Sequence, residues 1–166
     1  MGPTLRSTVG SAAAAAGVLL FGALALTTSS AAPPAAIAAL SGSWGGHGRI
    51  TYTDGSSEGI NCSAYYTGSD RELRMAIQCR SDKNPINIRS KLRIDGKRAS
   101  GEWEERTFNA SGSASGSIGP GSISLKVTGG GFSGTMNVNF GGSSHSVTIS
   151  TQGIAMSRAT MEMSRR

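Results

Sequence analysis

The sequence predicts an all-β protein, an antiparallel up-and-down meander of about ten strands that forms a small closed or nearly closed β-barrel. Apolar and polar residues alternate along most segments after Trp44, which is typical of strands with one buried face. Short turns rich in Gly, Ser, Asn and Asp recur at intervals of roughly 10 to 12 residues. This spacing is typical of a barrel or a sandwich, and the short turns favour a meander. A closed barrel also has no free sheet edge.

Residues 1–38 are predicted to be a secretory signal peptide that precedes the barrel domain at residues 39–166. Arg6 is the single charged residue before Arg49, and an apolar run from Val18 to Leu26 follows it. A basic start, an apolar centre and a small-residue end are the three parts of such a signal. We therefore expect an exported protein, periplasmic or secreted, and the alanine-rich signal suggests a bacterial host.

Cleavage of the signal is expected between residues 31 and 39. It could follow Ala31, or Ala38 at the end of an A-x-A triplet. The competing interpretation is a membrane anchor, because Val9–Thr28 carries no charge and about 20 residues can span a bilayer. No cationic stop-transfer cluster follows this run, so the mature protein is expected to lack a transmembrane segment.

The two cysteines lie on the second and third predicted strands, after a first strand with the sequence WGGHGRITYT. Cys62 lies on an apolar face with Ile60, and Cys79 lies on an apolar face with Ile77. Folding the chain back at the intervening TGSD turn places Cys62 opposite Cys79, with both side chains pointing to the apolar side. Export would bring this pair into an oxidising compartment, so we predict a Cys62–Cys79 disulfide that closes the hairpin.

Seven further strands follow, separated by turns such as the DGKR sequence after Ile94, which is a strong hairpin signal. In order, the predicted strands are INIRSKLRI, ASGEWEERTF, SGSASGSI, SISLKVT, FSGTMNVNF, HSVTIS and IAMSRATMEM. The residues expected to face the core include Ile86, Ile88, Leu92, Ile94, Trp103, Ile123, Leu125, Val127, Phe132, Met136, Val138 and Phe140. Their charged neighbours face outward, and a charged outer surface argues against an outer-membrane barrel.

The triplet Gly42-Ser43-Trp44, together with the strand meander, resembles the G-x-W sequence that opens many calycin-type barrels. This group includes lipocalins, avidins and small bacterial protease inhibitors. The resemblance implies a small barrel in which a basic residue near the last strand covers the tryptophan, and Arg158 matches that role. The biotin-site pattern of avidins and the later lipocalin motifs are not evident, so the resemblance implies an architecture and not a ligand.

No set of residues in the sequence predicts an enzyme, a metal site or a bound cofactor. His47 and His145 are the two histidines, and they lack further ligands at metal-binding spacing. The chain has no G-x-S-x-G sequence to support a serine nucleophile. Glu102, Glu104 and Glu105 could offer paired carboxylates, but ion pairing with the neighbouring basic strand explains the first two.

That basic strand carries Arg89, Lys91 and Arg93 on one face, in a chain of formal net charge +6. We consider this a possible contact face for an anionic surface such as lipid or polysaccharide. Few exposed aromatic residues are available for base stacking, which argues against nucleic acid. The alternative is a solvated sheet face that pairs with Glu102 and Glu104 across the hairpin.

The function expected from these features is that of an exported, non-enzymatic barrel that binds a small apolar ligand or a partner protein. Small residues at inward positions could leave space for the ligand, namely Gly46, Gly48, Gly112, Ala114 and Gly116. Two alternatives stay open at this point. One is an inhibitor or adaptor whose exposed loop binds another envelope protein, and the other is a structural envelope component held by the basic face.

Overall fold

Antiparallel strands surround a buried core in the computed structural model, which describes Gly2, residues 33–83 and residues 85–166. The described elements are α1 (Pro33–Leu40), β1 (Gly42–Tyr52), β2 (Ser57–Gly68), β3 (Glu72–Arg80), β4 (Ile86–Asp95), β5 (Arg98–Glu105), β6 (Ala110–Ile118), β7 (Ser122–Gly129), β8 (Phe132–Gly141), β9 (Ser144–Gln152) and β10 (Met156–Arg165). Each strand pairs with the next, and β1 also pairs with β10, so the sheet closes. The predicted ten-strand meander and barrel are confirmed.

The predicted signal peptide falls mainly on residues outside the described part of the chain. Apart from Gly2, the description begins at Pro33, where α1 starts. Within the described residues, no helix has the length and hydropathy needed to cross a bilayer.

Alternate residues of each strand point into the barrel, as the period of two predicts. The inward residues of β2 and β3 are Ile60, Cys62, Ala64, Tyr66, Leu73, Met75, Ile77 and Cys79, and all are buried. Cys62 lies opposite Cys79 in the register of these two strands, and the pair forms a disulfide with its Cα atoms 4.1 Å apart. The predicted disulfide and its position inside the hairpin are therefore confirmed.

Helix α1 covers one end of the barrel and was not predicted from the sequence. Prolines fit the first turn of a helix because the amide hydrogens there have no partner within the helix. Ala36, Ile37 and Leu40 are buried, with at most 3% of their surface exposed, so the helix adds side chains to the core. The sequence prediction had assigned residues 33–38 to the end of the signal peptide, and the run of alanines gives no amphipathic period that would indicate a helix.

Trp44 joins this helix to the barrel. Its Nε1 atom donates a hydrogen bond of 2.8 Å to the Leu40 carbonyl oxygen. The guanidinium of Arg165 lies 4.4 Å from the centre of the indole ring. The same guanidinium donates hydrogen bonds of 2.7 and 2.6 Å to the carbonyl oxygens of Ser41 and Ala39. Arg165 therefore holds the last turn of α1 against the tryptophan.

The prediction that Arg158 covers Trp44 is wrong, and the register of the closing strands explains why. Strand β10 runs antiparallel to β1, so the start of β1 meets the end of β10. Trp44 lies opposite Arg165, whereas Arg158 lies opposite Thr51 near the other end of the barrel.

His145 is buried beside Trp44 at the closed end of the barrel, which is the end that α1 covers, with 2% of its surface exposed. Its Nε2 atom is 3.1 Å from the hydroxyl oxygen of Tyr66, and its ring makes an edge contact with the indole. Burial lowers the pKa of His145 to about 4, and the nearby charge of Arg165 acts in the same direction. The folded protein thus holds this imidazole in its neutral form at neutral pH.

We predict that Cys62→Ser or Cys79→Ser lowers the free energy of unfolding by roughly 2 to 5 kcal/mol. Removing the disulfide increases the conformational entropy of the unfolded chain over a loop with a sequence separation of 17. Urea denaturation of the wild type and each variant measures the loss. Equal unfolding midpoints for oxidised and reduced wild-type protein would contradict this account.

We also predict that His145 makes the protein less stable in mild acid. The folded-state pKa of about 4 lies below the ordinary value of 6.5, so between these pH values the unfolded chain binds a proton that the folded protein does not. The stabilisation that comes from keeping His145 neutral is present above pH 6.5. It is lost as the pH falls towards 4, which lowers the free energy of unfolding by roughly 3 kcal/mol. The measurement is the unfolding free energy of wild type and His145→Gln across this range.

The variant cannot titrate at this position, so its stability should fall less with acid than that of the wild type. His47→Gln is the matched control, because His47 is exposed on β1. Identical pH profiles for wild type and His145→Gln would rule out the assignment.

Candidate ligand-binding site

A cavity of about 480 Å³ lies inside the barrel, towards the open end, which is the end opposite α1. Its apolar lining includes Ile50, Ile60, Met75, Ile77, Ile86, Ile88, Trp103, Phe108, Leu125, Val127, Phe132, Met136, Ile149, Ile154, Met156 and Met161. Large side chains such as Trp44, Tyr66 and Leu73 fill the bore at the closed end. Towards the open end, small side chains at Ala114 and Ala159 leave space.

The glycines that were expected to create this space do not line the cavity. Of Gly46, Gly48, Gly112, Ala114 and Gly116, only Ala114 is among the lining residues. A Cβ atom at any of the four glycines would lie 1.8 to 2.0 Å from a carbonyl oxygen of the neighbouring strand. These glycines instead permit a close approach between backbones within the curved sheet.

Tyr52 and Glu58 form a polar pair on the wall near the open end. The Tyr52 hydroxyl donates a hydrogen bond to Oε1 of Glu58. This hydrogen bond, together with burial, raises the pKa of Tyr52 to about 12, so the phenol keeps its proton. The other carboxylate oxygen of Glu58, Oε2, is buried and has no hydrogen-bond partner in the described part of the chain.

Glu105 is the second carboxylate of the lining, and its oxygens have partners. Oε1 accepts a hydrogen bond of 2.7 Å from the backbone amide of Asn87, and Oε2 accepts one of 2.7 Å from the amide of Phe108. These contacts connect the start of β4 to the turn between β5 and β6. Glu105 is therefore part of the structure of the opening.

Two hydroxyl groups complete the polar part of the wall. Thr151 donates its hydroxyl proton to the carbonyl oxygen of Met156. Ser90 lies between Ile88 and Leu92 on β4, and its Oγ atom is buried without a hydrogen-bond partner among the described residues. The cavity wall thus contains two polar side chains, Glu58 and Ser90, with unused hydrogen-bonding capacity.

Trp103 is the tryptophan of the cavity wall. Its Nε1 atom donates a hydrogen bond of 3.2 Å to the Thr128 carbonyl oxygen, and its ring lies 5.1 Å from that of Phe132. At the edge of the opening, Phe108 is 60% exposed and also belongs to the lining. Aromatic rings therefore extend from the interior to the solvent boundary.

The predicted basic face lies on the outside of the barrel, away from the cavity. Arg89, Lys91 and Arg93 are exposed on the outer face of β4. Their contact with an anionic surface stays a prediction.

The predicted pairing across the β4–β5 hairpin is confirmed in its strand register but not in its ion pairs. Arg89 lies opposite Glu104, and Lys91 lies opposite Glu102. The Lys91 ammonium nevertheless lies 3.3 Å from Glu72 on β3, the strand on the other side. Lys91 therefore pairs across the β3–β4 hairpin.

The two histidines lie apart, because His47 is on the outer face of β1 and His145 is in the core. Across residues 33–83 and 85–166, no group of three or more His, Cys, Asp or Glu side chains is placed to hold a metal ion.

Sequence reasoning missed Glu58, Ser90 and Glu105 as cavity residues, although the alternation contained the signal. Glu58 lies two residues before Ile60, so it has the parity of the inward face of β2. Ser90 and Glu105 likewise have inward parity on β4 and β5. A polar residue at an inward position of a strand is the pattern that would have identified all three.

Comparison with known proteins supports the fold and leaves the family open. No known protein family matches the sequence, and no curated protein matches it. Among solved structures, the chain is similar to Rv2717c from M. tuberculosis, with a TM-score of 0.62 and 14% sequence identity. The match covers 80% of this chain and 98% of the other. Identity this low shows a shared barrel fold, and the calycin-type resemblance stays a prediction.

Proposed function

We propose that the protein is a non-enzymatic, exported binding protein that holds a small apolar molecule inside its barrel. The observation that carries this proposal is the cavity of about 480 Å³ with a mainly apolar wall. Small-molecule sites typically measure about 300 to 1,000 Å³ and combine apolar walls with a few polar groups. Transfer of apolar surface from water into such a site contributes about 25 cal/mol per Å² of buried area.

The arrangement of polar groups supports binding over catalysis. A nucleophile needs a neighbouring base within hydrogen-bond distance. The buried base His145 is paired with Tyr66 at the closed end, and neither residue belongs to the cavity lining. Ser90 has no hydrogen-bond partner in the described chain, so nothing there activates its hydroxyl.

Export is supported by the disulfide and by the N-terminal composition. A disulfide persists in oxidising compartments such as the periplasm or the extracellular space. The packing of α1 favours one of the two cleavage positions. Cleavage after Ala38 would remove Ala36 and Ile37, which are buried in the core, whereas cleavage after Ala31 retains the whole helix.

We predict that the barrel binds N-phenyl-1-naphthylamine, a neutral apolar probe that becomes fluorescent in apolar surroundings. Ala114→Leu should weaken binding at least about tenfold, because the larger side chain occupies part of the cavity. Fluorescence titration of folded protein gives the dissociation constants.

Ser115→Leu is the matched control, since it adds the same side chain to the exposed face of the same strand. It should bind the probe as the wild type does. Absence of probe binding to the wild type, or equal binding by Ala114→Leu, would overturn the proposed function.

We predict that the mature protein begins at Ala32. Cleavage there keeps Ala36 and Ile37, whose side chains are buried in the core. Intact-mass measurement of protein recovered from the periplasm or medium of an expressing bacterium reports the N-terminus. A mature chain that begins at Ala39, or full-length protein confined to the cytoplasm, would contradict the prediction.

A further inference from the structure

We propose that the ligand is an organic cation, an apolar molecule with a protonated amine that is bound by the carboxylate of Glu58. This inference rests on the proposed function, because it assigns the chemical class of the molecule in the cavity. It starts from the charges of the cavity wall. The charged residues of the lining are Glu58 and Glu105, and both are acidic.

This internal charge is opposite to the formal net charge of the chain, which is +6. Basic side chains such as Arg89, Lys91 and Arg93 are exposed on the outer face of the barrel. A basic protein would ordinarily be expected to bind anions. Inside a cavity of low polarity, however, the nearest charges dominate, because the interaction weakens with distance and with screening by water. The wall therefore favours a cation and disfavours a carboxylate ligand.

Glu58 is the acceptor, because Glu105 is already occupied by two backbone amides. Oε1 of Glu58 accepts a hydrogen bond from the Tyr52 hydroxyl. Its Oε2 atom is buried with no hydrogen-bond partner among the described residues. The nearby Lys83 ammonium lies over the Tyr52 ring, 4.8 Å from its centre, and no lysine or arginine in the described chain forms an ion pair with Glu58. A buried carboxylate oxygen without a hydrogen-bond donor is unfavourable in free energy. A ligand ammonium group would supply both a positive charge and a donated hydrogen bond.

The remaining wall suits the rest of such a molecule. Trp103, Phe108 and Phe132 present aromatic rings, which attract cations and pack against apolar chains. Ser90 adds a second buried polar atom without a partner in the described residues, its hydroxyl oxygen, further along the wall from Glu58. The site thus combines an acceptor near the opening with a deep apolar chamber.

The test is competition against N-phenyl-1-naphthylamine by decylamine, decanol and decanoate, which share one linear alkyl chain and differ in the head group. Near neutral pH and below their micelle concentrations, decylamine should displace the probe at least about tenfold more effectively than decanoate. Decanol should fall between them. Equal displacement by decylamine and decanoate, or stronger displacement by decanoate, would overturn the inference.

Glu58→Gln should reduce the preference for decylamine over decanoate at least about fivefold, because it removes the charge and keeps the shape of the side chain. Glu102→Gln is the matched control, since it removes the same charge from the exposed face of β5 and should leave the preference unchanged. An unchanged preference in Glu58→Gln, or an equal loss in both variants, would show that Glu58 is not the acceptor.

The competition among the three head groups is measured first on the wild-type protein. Its result therefore stands even if Glu58→Gln fails to fold. The two proposals also fail differently. If the probe and all three competitors fail to bind, the proposed binding function is wrong. If all bind equally, the cavity is a binding site without selectivity for cations, and only this further inference is wrong.

Discussion

The pairing of β1 with β10 is the constraint on which the rest of the molecule depends. Its register sets Trp44 opposite Arg165, and so determines which side chains meet at the end covered by α1. Arg165 then contacts the indole ring and the carbonyl oxygens of Ala39 and Ser41. With that end filled by bulky residues and a helix, the free volume of the barrel is confined to the opposite end, where the cavity lies.

This division along the barrel axis separates the packed core from the proposed binding site. The closed end contains tightly packed aromatic and aliphatic groups, and the neutral His145 lies among them. The open half contains the cavity and a buried carboxylate oxygen without a partner in the described chain. Residues that break the rules of a well-packed core are expected at functional sites, because a core selected for stability would fill the space and pair the charge.

Local patterns were sufficient to predict the strands, the Cys62–Cys79 pair and the inward residues, because alternation and turn chemistry depend on neighbours along the chain. The features that were missed depend on closure. Arg158 was assigned to the tryptophan, and Arg165 was not predicted, because the register of the first and last strands is set by a non-local pairing. The alanine-rich α1 has no amphipathic period and becomes recognisable only through the barrel end that it covers. Glu58 had the correct parity, yet its value as an acceptor depends on Tyr52 and on the surrounding wall.

The contrast between a basic exterior and an acidic interior has a physical consequence for any molecule that enters. At a distance the net positive charge weakly opposes a cation, but salt screens this effect over about 8 to 10 Å. For a cation bound at the proposed site, the aromatic and aliphatic wall would exclude water and strengthen the contact with Glu58. Affinity would then come from the interior and selectivity from one carboxylate. An amphiphilic anion would be attracted by the outer surface and repelled by the cavity wall, so the barrel would admit cations in preference. The outer face would be a separate surface for the predicted contact with anions.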